Sequence, residues 1–130
     1  MHYVAIVTVV ALLQFLYFGV LVGKARAQYG IAAPAVSGNE IFERYFRVQM
    51  NTLEQLLMFL PSLWIFAHYA NPLWAASLGV VFVIGRAIYC RSYARDPKNR
   101  SLGFALTALP TLIMMAGILW QAIRTLMAAQ

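Results

Sequence analysis

Charge is scarce in this sequence, and negative charge scarcer still. Of 130 residues only 11% are Asp, Glu, Lys or Arg, and four acids stand against ten bases. Cysteine is nearly absent: Cys90 stands alone, so no intrachain disulfide exists and a disulfide-stapled scaffold is excluded. Histidine is limited to His2 and His68, isolated from each other and without a partner at metal-ligand spacing, so no metal site is expected. What fills the chain instead is apolar. Hydrophobic residues make up 62%, against roughly 45–50% in soluble domains, and the mean hydropathy is +0.71. A small soluble domain buries only about 60% of its unfolded surface, so this composition excludes a soluble globule, and a disordered tail with it. Four membrane-crossing helices of ~20 residues would use about 80 residues. The arithmetic predicts an all-α membrane protein of four transmembrane helices with almost no extramembrane part.

The net charge of +6 could signal nucleic acid on a soluble protein. In a membrane chain it points to cytoplasmic loops, lipid headgroups and acidic ligands, and no nucleic-acid partner is expected. The pattern predicts one domain over residues 1–130, with helices at about 3–25, 40–69, 72–93 and 97–127. Residues 1–23 carry no side-chain charge and lack a basic stretch before the apolar run, so they read as a retained helix rather than a signal peptide. Gly19 and Gly23 form a GxxxG pair suited to close helix approach. A polar hinge follows through Asn39, and Ser37 with Glu40 fits a capping box. Residues 55–85 are uncharged but broken at Ala70-Asn71-Pro72. Neither half alone spans ~30 Å of hydrocarbon, so each helix must extend into charged sequence. That places Glu54 and Arg86 inside the membrane and Asn51 and Tyr89 at its boundary. Such intramembrane ionisable groups are functional candidates. Asp96-Pro97 reads as the start of the last helix, and Pro61 and Pro110 as kinks within spans. The connections between helices one and two and between three and four are basic; the remaining turn has no charge. The positive-inside rule then predicts both termini outside and the basic end cytoplasmic.

One level of the bundle collects polar groups. Arg47, Asn51 and Glu54 lie at i, i+4 and i+7 on one helical face, with Gln55 beside them. Arg86, Tyr89 and Tyr93 form a second stripe at the same depth. Arg26 ends the first helix, and Arg100 falls in the first turn of the fourth. This cation-rich set with one carboxylate suits an acidic ligand bearing several carboxylates and its own amine. Arginine forks would hold the carboxylates and Glu54 the ammonium. The plainer readings are that Arg26, Arg91, Arg95 and Lys98 anchor headgroups, that Glu54 pairs with Arg86 or Arg47, and that Tyr89 and Tyr93 belong to an interfacial aromatic belt.

The stretch FERYFRVQMNTLE over residues 42–54 resembles the FERxxRxQxNxxE signature of the MAPEG family, the membrane-associated proteins of eicosanoid and glutathione metabolism. Arg86, Tyr89, Tyr93 and Arg100 follow the family's second motif, RxxYxxxYxxxxxxR, and residues 22–26 resemble the end of its first helix. The resemblance covers about the whole chain. It implies a homotrimer with glutathione bound as co-substrate between subunits, facing the cytoplasm. By position, Arg26, Arg47, Gln49, Asn51, Glu54, Tyr89 and Tyr93 would bind glutathione, and Arg100 would activate its thiol. The implied activity is conjugation of glutathione to a lipophilic electrophile, or reduction of a lipid hydroperoxide. Two positions depart from family patterns: Gln55 stands where a tyrosine is frequent, and Ala27 where the leukotriene-conjugating branch has a second arginine. Arg47 and Glu54 are kept, unlike in the lipoxygenase-activating branch, which favours the glutathione-using one. A multi-pass bacterial inner-membrane location is expected. The alternatives are a non-catalytic lipid-binding or scaffold protein of the same fold, and a small four-span multidrug transporter. The transporter is disfavoured because the first helix has no acid and arginines surround Glu54.

Overall fold

Capping side chains open two of the four helices in the computed structural model, which describes residues 1–130. The four are α1 (His2–Tyr29), α2 (Glu40–Tyr69), α3 (Pro72–Arg95) and α4 (Ser101–Ala128). α1 runs four residues beyond the expected end, because Lys24 to Gln28 are good helix formers. It stops at Gly30, whose φ of 69° suits glycine and closes the final turn. The expected Ser37–Glu40 capping box does not form. Asn39, two residues closer to the helix, caps α2 instead, its Oδ1 accepting from the backbone N–H groups of Ile41 and Phe42 at 2.9 and 3.0 Å. Asn71 caps α3 in the same way, with Pro72 opening the first turn. The expected start of the last helix at residue 97 is also corrected. Asp96 accepts from Lys98 N–H at 3.0 Å and initiates only a three-residue 3-10 turn, Pro97–Asn99. α4 begins after Arg100, which occupies the N-cap position and gives no side-chain cap.

Short connections make sequential helices antiparallel, so the basic ends of all four meet at one end of the bundle. Away from that end, apolar side chains such as Phe59, Leu63, Phe82 and Met114 fill the core, and the rings of Phe59 and Phe82 stack at 3.8 Å. Large apolar residues including Leu16, Leu57, Trp74 and Trp120 face outward, the inversion expected where lipid is the solvent. Three stretches are long and apolar enough to cross a membrane: His2–Tyr29, Pro72–Arg95 and Pro97–Ala128. α2 has the length, at 30 residues, but Glu40, Glu43, Arg44, Arg47 and Glu54 lower its hydropathy below theirs. The sequence reading of four apolar spans is therefore three by composition, with α2 packed against each of the others.

Glycine sets the approach of α3 to α4. A Cβ on Gly85 would sit 2.8 Å from the backbone of Leu106, and one on Gly103 would sit 2.5 Å from the backbone of Tyr89. The GxxxG pair on α1 has no such role within the chain: Gly19 meets only the Gln49 side chain, and Gly23 has nothing within 4 Å.

Candidate functional site

The close crossing at Gly103 presses the first turn of α4 against Tyr89 of α3. Beside it, α2 presents the face carrying Arg47 and Asn51. These three helices enclose a cleft of about 480 Å³ at the basic end, lined by Arg47, Asn51, Tyr89, Tyr93, Arg100, Ser101 and Phe104. That volume is within the ordinary range for small-molecule sites, about 300–1,000 Å³.

Arg86 organises the back of the cleft. It is 0% exposed. Its Nη1 donates to Asn51 Oδ1 at 2.9 Å, and its guanidinium carbon lies 4.3 Å from the centre of the Tyr89 ring. Its Nε and Nη2 have no partner in the chain. With the Asn51 carbonyl engaged by Arg86, the amide NH₂ is the group left to serve the cleft. Tyr89 and Tyr93 stack at 5.5 Å, which sets their two phenols on one wall. The opposite rim is cationic. Arg100 has no carboxylate within 4 Å, whereas Arg47 has one, Glu54, at 3.6 Å. Because Arg100 contributes no side-chain cap, the first-turn N–H groups of α4 keep their hydrogen-bonding capacity at the edge of the cleft. The helix dipole adds positive potential there. The arrangement is built to receive an anion next to planar aromatic surface.

Five of the residues singled out from the sequence come together in this cleft: Arg47, Asn51, Tyr89, Tyr93 and Arg100. Glu54 lies on the same face of α2, half-exposed, in its ion pair with Arg47 rather than with Arg86. Two residues stand elsewhere. Arg26 donates from Nη1 to the carbonyl of Ala35 at 2.6 Å and covers the Phe42 ring, in a shallow hollow with Gly23 and Gly30. Gln49 projects toward Gly19 on α1. The sequence reading put Arg86 inside the membrane and in one polar stripe with Tyr89 and Tyr93, but assigned it no binding or catalytic role. It missed Ser101 and Phe104 altogether, since the break at Asp96-Pro97 hid the register of α4. No group of three or more His, Cys, Asp or Glu stands close enough to hold a metal ion.

The bundle and its polar end define an all-helical integral membrane protein with a charged cleft between three of its helices. Residues 4–120 match the MAPEG family profile, and the chain belongs to that family. Among its relatives, an uncharacterized protein of Synechocystis sp. is 48% identical over 121 residues, covering 90% of this chain and 88% of its own. Human microsomal glutathione S-transferase 2 is 40% identical over 118 residues, 88% of this chain and 80% of its own. Leukotriene C4 synthase of Rattus norvegicus is 34% identical over 116 residues, 88% and 77% respectively.

Proposed function

We propose that this protein is a glutathione-using membrane enzyme: it activates the glutathione thiol and transfers the sulfur to a lipophilic electrophile, or uses it to reduce a lipid hydroperoxide. The observation that carries this reading is the convergence of Arg47, Asn51, Tyr89, Tyr93 and Arg100 on one cleft. The relatives named for glutathione transfer and leukotriene C4 synthesis support the same reading. Glutathione offers two carboxylates, an ammonium and a thiol. Arg47 would fork a carboxylate, Glu54 would accept from the ammonium, and the Asn51 NH₂ would donate to the peptide.

A free thiol is mostly protonated at pH 7, and only the thiolate is an effective nucleophile. Arg100 within ~4 Å of the sulfur would favour the anion by up to about 4 kcal/mol at an effective dielectric of 20, partly offset by desolvation. The N-terminus of α4 would add a few tenths to about 1 kcal/mol. In conjugation, the thiolate attacks the electrophilic carbon, a C–S bond forms, and the leaving oxygen or halide departs with the bonding pair. In the reductive reaction, the thiolate attacks the hydroperoxide O–O bond, giving the alcohol and a sulfenic acid that a second glutathione converts to disulfide. Arg26 and Gln49 lie away from the cleft. In this proposal they serve the cleft of a neighbouring subunit in a homotrimer. α2 completes the membrane bundle with both termini outside, so that the cleft opens to the cytoplasm.

Arg100→Ala is expected to lower turnover at least tenfold while calorimetric glutathione affinity changes little. Unchanged turnover in detergent would remove Arg100 from the chemistry, and absence of glutathione binding by the unaltered protein would overturn the enzyme reading.

A further inference from the structure

On the other side of α3 lies a second cleft, of about 470 Å³, between α1, α2 and α3. It shares no residue with the first cleft. On α1 its lining residues Gln14, Phe18 and Leu21 lie roughly 80–140° around the helix from Arg26, at ~100° per residue. None of the residues assigned to glutathione lines this cleft, and its occupant does not depend on that assignment.

Its construction is graded along the membrane normal. The inner wall is Phe18, Leu21, Ala87 and Cys90. At the lower end stands Gln14, whose Nε2 donates to the Val83 carbonyl at 2.9 Å and ties α1 to α3, while its Oε1 has no partner in the chain. The mouth carries Arg91 and Arg95, one turn apart on α3. A smaller hollow of about 230 Å³ shares Leu21 and Tyr45 with it and adds Lys24. None of these three cations has a carboxylate within 4 Å; Glu43 lines a different hollow with Arg44 and Arg47, and the other three acids have partners of their own. Glu40 holds Arg44 at 2.7 Å, Glu54 holds Arg47 at 3.6 Å, and Asp96 accepts from Lys98 N–H. Arg44 in turn donates to the carbonyls of Ala94 and Arg95 at 3.2 and 3.0 Å, which fixes the last turn of α3 and hence the mouth.

On α3 the groove's lining runs from Arg95 down to Ala87, ~12 Å at 1.5 Å per residue. That is most of the depth of one leaflet, about half of a ~30 Å hydrocarbon core. A cationic mouth at headgroup level above a mostly apolar slot that reaches through most of one leaflet matches one class of molecule. We infer that this groove seats an anionic glycerophospholipid, its phosphate between Arg91 and Arg95 and one acyl chain along Ala87 and Cys90 toward Gln14. The arginine pair would fork the phosphate oxygens, and Lys24 would add to the attraction.

The test is electron paramagnetic resonance of the full-length protein in phosphatidylcholine vesicles, with chain-labelled phosphatidylglycerol, phosphatidylcholine or fatty acid as probe. Phosphatidylglycerol is expected to show a motionally restricted component with about tenfold preference over phosphatidylcholine, since each headgroup-level arginine adds several-fold. The double variant Arg91→Gln/Arg95→Gln should bring that preference to the phosphatidylcholine level. Lys98→Gln, a cation at the same end outside the groove, should leave it intact. Ala87→Trp, with helical circular dichroism retained, should shrink the restricted component by filling the slot. Three results would overturn the inference: no preference in the unaltered protein, a preference that Lys98→Gln weakens as much as the double variant does, or a stronger preference for the fatty acid anion.

Discussion

Arg86 shows how one side chain can govern a site it does not line. Its guanidinium is fully buried, holds the Asn51 carbonyl oxygen at 2.9 Å and lies against the Tyr89 ring. A lysine has neither the fork nor the planar face to replace it. Arg86→Lys is therefore expected to destabilise the fold by about 1–3 kcal/mol, because the shorter ammonium gives up the planar contact with Tyr89 and displaces the donor from Asn51 Oδ1. It should also raise the KM for glutathione several-fold, as the Asn51 amide loses its orientation. Melting in detergent together with steady-state kinetics checks both, and an unchanged melt with unchanged KM would deny Arg86 this role. At this scale the sequence was informative where residues share a helix. The spacing of Arg47, Asn51 and Glu54 put them on one face, and that face is observed. It was blind to the hydrogen bond from Arg86 to Asn51, which joins two helices across 35 residues of sequence.

Between elements, the decisive contact is a glycine against a backbone. Gly103 lets α4 approach Tyr89 so closely that a methyl group would lie 2.5 Å from its Cα. Backbone gives way less readily than a side chain, so Gly103→Ala should cost about 1–3 kcal/mol through overpacking. It should also widen the cleft, lowering activity more than Arg100-independent properties such as helicity. Full activity with an unshifted melt would contradict that account. Helix existence was legible from apolar runs and breakers. Helix ends were less so, because the capping residue is chosen by backbone geometry: Asn39 rather than Ser37 caps α2, and Asp96 caps a short 3-10 turn rather than α4. Asn39→Ala is expected to cost about 0.5–2 kcal/mol, the ordinary loss for an N-cap, readable as a lower melting temperature.

In the whole molecule, the candidate residues divide between two faces. The cleft gathers Arg47, Asn51, Tyr89, Tyr93 and Arg100, while Arg26 and Gln49 point elsewhere. A single helical spacing cannot reveal such a division, since it depends on how four helices are arranged around one another. If neighbouring subunits complete each other's clefts, inactive Arg26→Ala and Arg100→Ala chains should complement when co-expressed. With random assembly in a closed ring, about a quarter of clefts would pair two intact contributions, so activity should return toward that fraction. No recovery would mean that each chain works alone. The most direct test of the central claim is titration of glutathione into the purified protein, followed by ultraviolet thiolate absorbance near neutral pH. The account predicts a saturable thiolate signal that Arg100→Ala abolishes. Binding without that signal would contradict thiol activation by Arg100, and no binding would contradict the glutathione site itself.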